Sequence, residues 1–203
     1  MTKIAERENS IKEDNKKILL HSCCAPCTIY PLKRLQEAGF TVVGLFYNPN
    51  IHPFTEFERR LNAVLEYYRE IDVPLIVDAS YDVSDFLKKT FCANVDRCEA
   101  CYRIRLSNAF GVAKEEDVGI DAVTSTLFFS KYQDHEVMLQ IAKDESVKSG
   151  VSFHYEDYRT GWEEGRRFCR ESGMYSQKYC GCIISEEERY QKKIEALKKG
   201  TGR

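Results

Sequence analysis

The sequence predicts an α/β fold in which helices flank a largely parallel β-sheet. Short apolar or β-branched segments recur along the chain, and segments with apolar residues at three- and four-residue spacing lie between them. Strands that alternate with helices are typical of parallel sheets, because each crossover needs a helix-length connection. No repeat or linker divides the 203 residues, so we expect one domain with a full core.

Five strands are predicted from their apolar, β-branched or aromatic residues. The first ends at a cysteine cluster, and the second (FTVVGLFY) is broken by Asn48-Pro49-Asn50. In chain order, the predicted strands span residues 17–22, 40–47, 74–79, 122–128 and 151–155.

The predicted helices follow from periodicity and end signals. Pro31 is tolerated near the start of the first helix and Gly39 closes it, while Thr55-x-x-Glu58 and Ser185-x-x-Glu188 match capping boxes. Five of these helices span residues 30–38, 83–90, 98–113, 133–148 and 185–199. A sixth begins at Thr55. Residues 156–178 are polar and only weakly periodic, so no element is predicted there.

The domain organisation is simple. We expect residues 1–16 to form a polar leader, too hydrophilic for a secretory signal, and residues 17–199 to form a single α/β catalytic domain with a cysteine-rich C-terminal part. No segment approaches the roughly 20 apolar residues that span a bilayer, so we expect a cytoplasmic protein with no membrane partner. The net charge of −2 neither indicates nor excludes a nucleic-acid partner.

Nine cysteines in a reducing compartment favour metal binding or redox chemistry over a disulfide scaffold. Cys98 and Cys101 present their sulfurs on one helix face, where the helix N-terminus favours thiolates. Thiolates suit zinc and iron–sulfur clusters alike. The cysteines form three groups: Cys23, Cys24 and Cys27; Cys92, Cys98 and Cys101; and Cys169, Cys180 and Cys182.

Three cysteines have open roles. Cys92 and Cys169 have no close partner in sequence and are interpreted as packed side chains. Cys27 is interpreted as a ligand or a packed neighbour, with preference for the latter.

Two further features lie near the predicted site. Gln133, Asp134 and His135 follow the fourth strand, so we expect them beside the cysteines at the carboxyl edge of the sheet. Asp134 and His135 are candidates for proton delivery or metal orientation, with helix capping as the alternative. Cys180-Gly181-Cys182 has a glycine that permits a tight turn, so this pair predicts either a reducible disulfide or a shared metal.

Four motifs together resemble the QueH family of epoxyqueuosine reductases. They are LLHSCCAPC, the Cys98–Cys101 pair with Tyr102-Arg103-x-Arg105-Leu106, Ser130-Lys131-Tyr132-Gln133-Asp134-His135, and Tyr179-Cys180-Gly181-Cys182. The resemblance covers residues 17–190. It implies a cytosolic oxidoreductase that removes the epoxide oxygen of epoxyqueuosine in tRNA, the last step of queuosine formation.

The resemblance also implies cofactors and site residues. The ligands of a [4Fe–4S] cluster fall on Cys23, Cys24, Cys98 and Cys101. A redox-active pair falls on Cys180 and Cys182, which with Asp134 are also candidates for an adjacent mononuclear iron. The expected partners are tRNA carrying epoxyqueuosine in its anticodon loop and an unidentified electron donor.

The RNA-facing surface is predicted in residues 159–178, where five basic side chains exceed three acidic ones. Single-stranded bases stack on aromatic side chains and arginines, and this segment contains both. The residues concerned are Arg159, Trp162, Arg166, Arg167, Phe168, Arg170 and Tyr175.

Two other functions share some of these sequence features. A non-catalytic zinc protein that binds RNA would use the same cysteines. An ATP-dependent tRNA-modifying enzyme of the PP-loop type would share the architecture, but its phosphate loop needs glycine where this chain has Ser22-Cys23-Cys24-Ala25-Pro26-Cys27. We therefore expect a PP-loop or adenine-nucleotide-hydrolase-like architecture without the phosphate loop.

Overall fold

The computed structural model describes residues 16–115 and 119–201. The predicted leader lies outside this part of the chain, except for Lys16. Within the described residues, no helix is both long and apolar enough to cross a membrane.

A five-stranded sheet with the order β3-β2-β1-β4-β5 forms the centre of the molecule, and every pair of neighbouring strands is parallel. The predicted fold class is confirmed. The strands are β1 Lys17–His21, β2 Thr41–Tyr47, β3 Leu75–Asp78, β4 Ala122–Ser125 and β5 Ser152–Phe153.

Seven helices surround the sheet in the described residues. They are α1 Ala25–Glu37, α2 Phe54–Glu70, α3 Val83–Phe91, α4 Arg97–Lys114, α5 His135–Ser149, α6 Trp162–Glu171 and α7 Ile183–Thr201. Single 3₁₀ turns occupy Thr126–Phe129 and Tyr158–Gly161.

The alternation of β1 side chains divides the core into two layers. Leu19 belongs to a buried cluster with residues of α4 and α5, such as Phe110 and Met138. Ile18 and Leu20 belong to a second cluster with residues of α1 and α2. Apolar residues therefore cover both faces of the sheet, as parallel sheets require.

Several predicted boundaries were wrong. Helix α1 begins at Ala25, because a proline in the first helical turn loses no hydrogen bond. Helix α2 begins after Pro53 without a side-chain cap, and Ser185 lies inside α7, so neither predicted capping box opens its helix. The fourth strand ends at Ser125 and continues as a 3₁₀ turn.

Helix α6 is not predicted from the sequence. Its buried residues, Gly165 and Cys169, are small and lie four positions apart, so the helical spacing is present but is not marked by large buried side chains.

The strand order places a topological switch point between β1 and β4. The chain proceeds from β1 to β2 and β3 on one side and returns to β4 on the other, so a crevice opens beyond the carboxyl ends of β1 and β4. His21 bridges the two strands, since its Nδ1 lies 2.8 Å from Ser125 Oγ. Burial, followed by the charge of Arg105, lowers the pKa of His21 to about 4, so this ring is neutral at pH 7.

Candidate metal centre

Three cysteines meet where β1 runs into α1. The sulfur atoms of Cys23, Cys24 and Cys27 all lie within 4.8 Å of one another. Cys24 occupies the N-cap position of α1 and Cys27 lies in its first turn. The early start of α1 thus turns all three sulfurs toward one point.

Hydrogen bonds hold this cysteine group. The backbone N–H of Cys23 donates to Thr126 Oγ1 at 3.0 Å, and that hydroxyl lies 3.3 Å from Cys23 Sγ. Gln177 Nε2 donates to Cys24 Sγ at 2.9 Å. Hydrogen bonds from Cys24 and Cys27 hold the pKa of Cys23 well below its usual value. Burial raises the pKa of Cys24. The group is therefore suited to hold one thiolate before any metal binds.

A second cysteine group comprises Cys98 and Cys101 on α4 and Cys180 and Cys182 before α7. Cys101 and Cys182 pack in one buried cluster with Phe86. Burial raises the pKa of Cys101 to about 12, so burial outweighs the expected effect of the helix N-terminus. Cys180 and Cys182 are free thiols; Cys180 is exposed and Cys182 is buried.

The two groups face one another across the crevice. Cys23 and Cys180 both line the same cleft, and each lies close enough to Arg105 to interact with its charge. Three converging thiols with a second set of soft donors opposite fit a thiolate-bound metal or iron–sulfur centre. Among the described residues, Cys23, Cys24 and Cys27 form the set that converges within 4.8 Å, and Cys98 and Cys101 lie outside it.

The residues after β4 divide into two roles. Gln133 Nε2 donates to Cys180 Sγ at 3.3 Å and belongs to the cleft. Asp134 caps α5 by accepting a hydrogen bond from the Val137 N–H at 3.1 Å. His135 is buried, with Nε2 2.9 Å from Tyr155 Oη. Capping thus accounts for Asp134, whose role as an iron ligand stays a prediction.

The loop that carries Cys180 and Cys182 is fixed by Arg60. This buried side chain pairs with Glu56 at 2.7 Å and donates to the carbonyls of Tyr179 and Cys180. Gly181 lies between the two cysteines at a φ of +141°, and its carbonyl accepts from the His52 N–H at 2.8 Å.

The cleft in front of the cysteines has a volume of about 1340 Å³ and a predominantly basic lining. Glu188 is the only carboxylate among the described lining residues. The basic lining residues are Arg105, Arg166, Arg170, Lys178, Arg189, Lys192 and Lys193. Helices α6 and α7 supply most of them.

The predicted RNA-facing segment is divided by the structure. Trp162, Arg166 and Arg170 line the cleft. Arg159 instead pairs with Asp157 at 2.7 Å, and Tyr175 hydrogen-bonds to Glu56. Residues 188–193 were missed, although the basic residues there share one helix with Tyr190, a pattern that is visible in the sequence.

An aromatic pair stands at the mouth of the cleft. The rings of Tyr132 and Trp162 are 5.7 Å apart in an edge-to-face arrangement, and Tyr132 is 81% exposed. Lys131 and Arg166 place their charges 5.7 and 5.9 Å from the centre of the Trp162 ring.

Two proteins named epoxyqueuosine reductase QueH are similar to this chain over most of its length and of their own. The protein from Dehalococcoides mccartyi is 40% identical over 177 residues, which cover 87% of this chain and 96% of that protein. The protein from Thermotoga maritima is 31% identical over 193 residues, which cover 90% and 96%. The relatives are oxidoreductases by name, and the expectation of an enzyme is confirmed.

A solved structure shows the same fold. It is described as a predicted subunit of tRNA methyltransferase from Methanocaldococcus jannaschii. The TM-score is 0.51 at 8% identity, with 77% of this chain and 75% of that chain covered. At this identity the similarity concerns architecture alone.

The family described as epoxyqueuosine reductase QueH matches residues 18–188, which include both cysteine groups and most of the cleft lining. The sequence motifs, the position of the cysteines at the switch point and the curated relatives agree, and the chain belongs to the QueH family of epoxyqueuosine reductases.

Proposed function

We propose that this chain reduces epoxyqueuosine to queuosine in tRNA by means of an iron–sulfur centre. The observation that carries the proposal is the convergence of Cys23, Cys24 and Cys27 after β1, with Cys23, Cys27 and Cys180 lining one basic cleft. Cys23, Cys24, Cys98 and Cys101 hold a [4Fe–4S] cluster, and Cys27 is a hydrogen-bonded neighbour. This cluster supplies electrons one at a time when it is bound.

The reaction needs two electrons and two protons. Both C–O bonds of the epoxide break, a carbon–carbon double bond forms, and the oxygen leaves as water. The electrons come from a low-potential external reductant whose identity is open. Because the reaction acts on tRNA, we place the protein in the cytoplasm.

We propose that Cys180 and Cys182 take part in the reaction. Cys180 is exposed to the cleft, so we propose that it contacts the modified nucleoside together with Gln133. We also propose that Cys180, Cys182 and Asp134 hold a mononuclear iron next to the cluster. A disulfide between the two cysteines is proposed for the oxidised enzyme.

Helices α6 and α7 form the RNA-binding walls in this proposal. Drug-sized ligands occupy pockets of about 300–1,000 Å³, so a cleft of about 1340 Å³ accommodates a nucleotide with part of its neighbours. Basic side chains on both walls match a phosphate backbone, whose binding weakens steeply with salt. Lys192→Ala should weaken tRNA binding and reduce its salt dependence, whereas Lys143→Ala, an exposed position on α5 outside the cleft, should do neither.

Anaerobic turnover tests the function. Protein reconstituted with iron and sulfide is mixed with tRNA carrying epoxyqueuosine and a chemical reductant, and the nucleosides are analysed by mass. We expect the nucleoside to lose one oxygen, and we expect Cys24→Ala to abolish this loss while Cys92→Ala, an exposed cysteine at the end of α3, retains it. An unchanged nucleoside with fully loaded wild-type protein would refute the proposal.

A further inference from the structure

Arg105 is a buried arginine with no carboxylate partner in the part of the chain that the structure describes. It lies on α4 with 1% of its surface exposed and is among the largest fully buried side chains. Its Nε donates to the Cys101 carbonyl at 3.3 Å, and its guanidinium carbon lies 5.8 Å from the centre of the Tyr102 ring. Its Nη2 is buried and has no hydrogen-bond partner among the described residues. A buried positive charge is costly unless an anion compensates it. The Arg105 guanidinium therefore needs an anion.

The other fully buried arginine shows what a complete arrangement looks like. Arg60 is equally buried but has the Glu56 carboxylate at 2.7 Å and two backbone carbonyls as acceptors. Across residues 16–115 and 119–201, no carboxylate lies within ion-pair distance of Arg105. The missing partner must therefore be another kind of anion.

The surroundings of Arg105 indicate which anion that is. Burial disfavours its charge, and the ionisable groups near enough to favour that charge once they are deprotonated are the sulfurs of Cys101, Cys180 and Cys23, followed by Tyr102. These sulfurs belong to both cysteine groups, and Arg105 lines the cleft between them. The guanidinium thus lies at the point where an anionic centre shared by the two groups would form.

We propose that Arg105 is a positioning residue that acts as the counter-ion of the thiolate-bound centre and joins the two cysteine groups electrostatically. This inference rests on the proposed function. A cluster with four thiolates carries net negative charge, which grows by one on reduction, and net charge helps to set its potential. A fixed cation in a low-dielectric site stabilises the more negative state more strongly. Arg105 therefore makes the centre easier to reduce.

The first test uses metal-free protein and requires no cofactor. Arg105→Met replaces an unpaired buried charge by an apolar side chain of similar length, and such replacements are often neutral or stabilising. We expect the metal-free variant to unfold at the same or a higher urea concentration than metal-free wild type. A counter-ion role predicts this result, whereas a purely structural role predicts a loss of stability.

The second test measures the reduction potential of the reconstituted cluster by following its visible absorption or paramagnetic signal. We expect Arg105→Met to shift the potential to more negative values and Arg105→Lys, which keeps the charge, to stay near wild type. Arg103→Met is the matched control, because Arg103 lies on the same helix but is 40% exposed and pairs with Glu99 at 2.9 Å. It should leave the potential unchanged.

The outcomes separate this inference from the proposed function. If Arg105→Met and Arg105→Lys change the potential or cluster content equally, charge is not the determinant and the inference is overturned. An Arg105→Met cluster with wild-type potential overturns it as well. If wild type takes up no iron–sulfur cluster, the proposed function fails. Urea unfolding of the metal-free proteins still tests the role of Arg105, because a destabilised Arg105→Met protein contradicts the inference.

Discussion

The guanidinium of Arg60 donates a hydrogen bond to the carbonyl of Cys180 at 2.8 Å, and so ties the Cys180–Cys182 loop to α2. The same side chain is neutralised by Glu56, which accepts a hydrogen bond from Tyr175. One buried ion pair therefore holds the loop that presents Cys180 to the cleft.

Arg60→Met should destabilise the protein by about 3–5 kcal/mol, since it leaves the buried Glu56 carboxylate without its cation. The freed loop should also expose Cys182, which is buried in wild type. Urea unfolding measures the first effect, and the rate of Cys182 alkylation, followed by mass, measures the second. Wild-type stability with a wild-type alkylation rate would show that Arg60 does not fix the loop.

Gly181→Ala should distort the same loop for a steric reason. The added Cβ would lie 2.9 Å from Asn50 Nδ2 and 3.2 Å from Ile51 Cγ1, at a φ of +141° that other residues rarely adopt. We expect a loss of about 1–3 kcal/mol in the free energy of unfolding.

The matched control is Gly111→Ala on α4, where nothing lies within 4 Å of an added Cβ. It should stabilise the helix by about 0.5–1 kcal/mol, because alanine is the better helix former. Equal effects of the two substitutions would contradict the geometry of the loop.

Much of the fold could be predicted from local sequence, because a buried parallel strand is itself a short apolar run. The helix boundaries could not, since α1 begins with Ala25-Pro26-Cys27, residues that are also typical of loops. The cysteines stood out by residue type and spacing. Arg60 and Gln177 did not, because their roles depend on contacts with residues more than a hundred positions away.

Tyr132→Ala should weaken tRNA binding, because stacking of a base on an aromatic ring contributes about 1–3 kcal/mol. Tyr132→Phe keeps the ring and should bind like wild type. Phe91 is also exposed, but it lies at the end of α3 outside the cleft lining, so Phe91→Ala should have no effect. Equilibrium binding at fixed salt distinguishes these cases, and equal affinity of Tyr132→Ala and wild type would exclude a stacking role.

The acid stability of the fold should depend in part on His52. Burial lowers the pKa of this ring below its usual 6.5, so the unfolded chain takes up a proton more readily than the folded one. Stability should therefore fall as the pH decreases from 7 through 6.5 toward 5. In urea unfolding, the free energy of unfolding of His52→Phe should fall less over this pH range than that of wild type. His21, His135 and His154 are present in both proteins, so the difference reports His52. The same fall in both proteins would mean that His52 does not contribute.

The iron and labile-sulfide content of anaerobically reconstituted protein tests the central claim most directly, because that claim is a shared centre between two cysteine groups. Wild type should bind labile sulfide together with at least an equal amount of iron, and any excess iron corresponds to the mononuclear site. Cys24→Ala from the first group and Cys98→Ala from the second should each lose both, while Cys92→Ala retains them. Stoichiometric zinc without sulfide, or full iron and sulfide in the Cys98→Ala protein, would contradict the account.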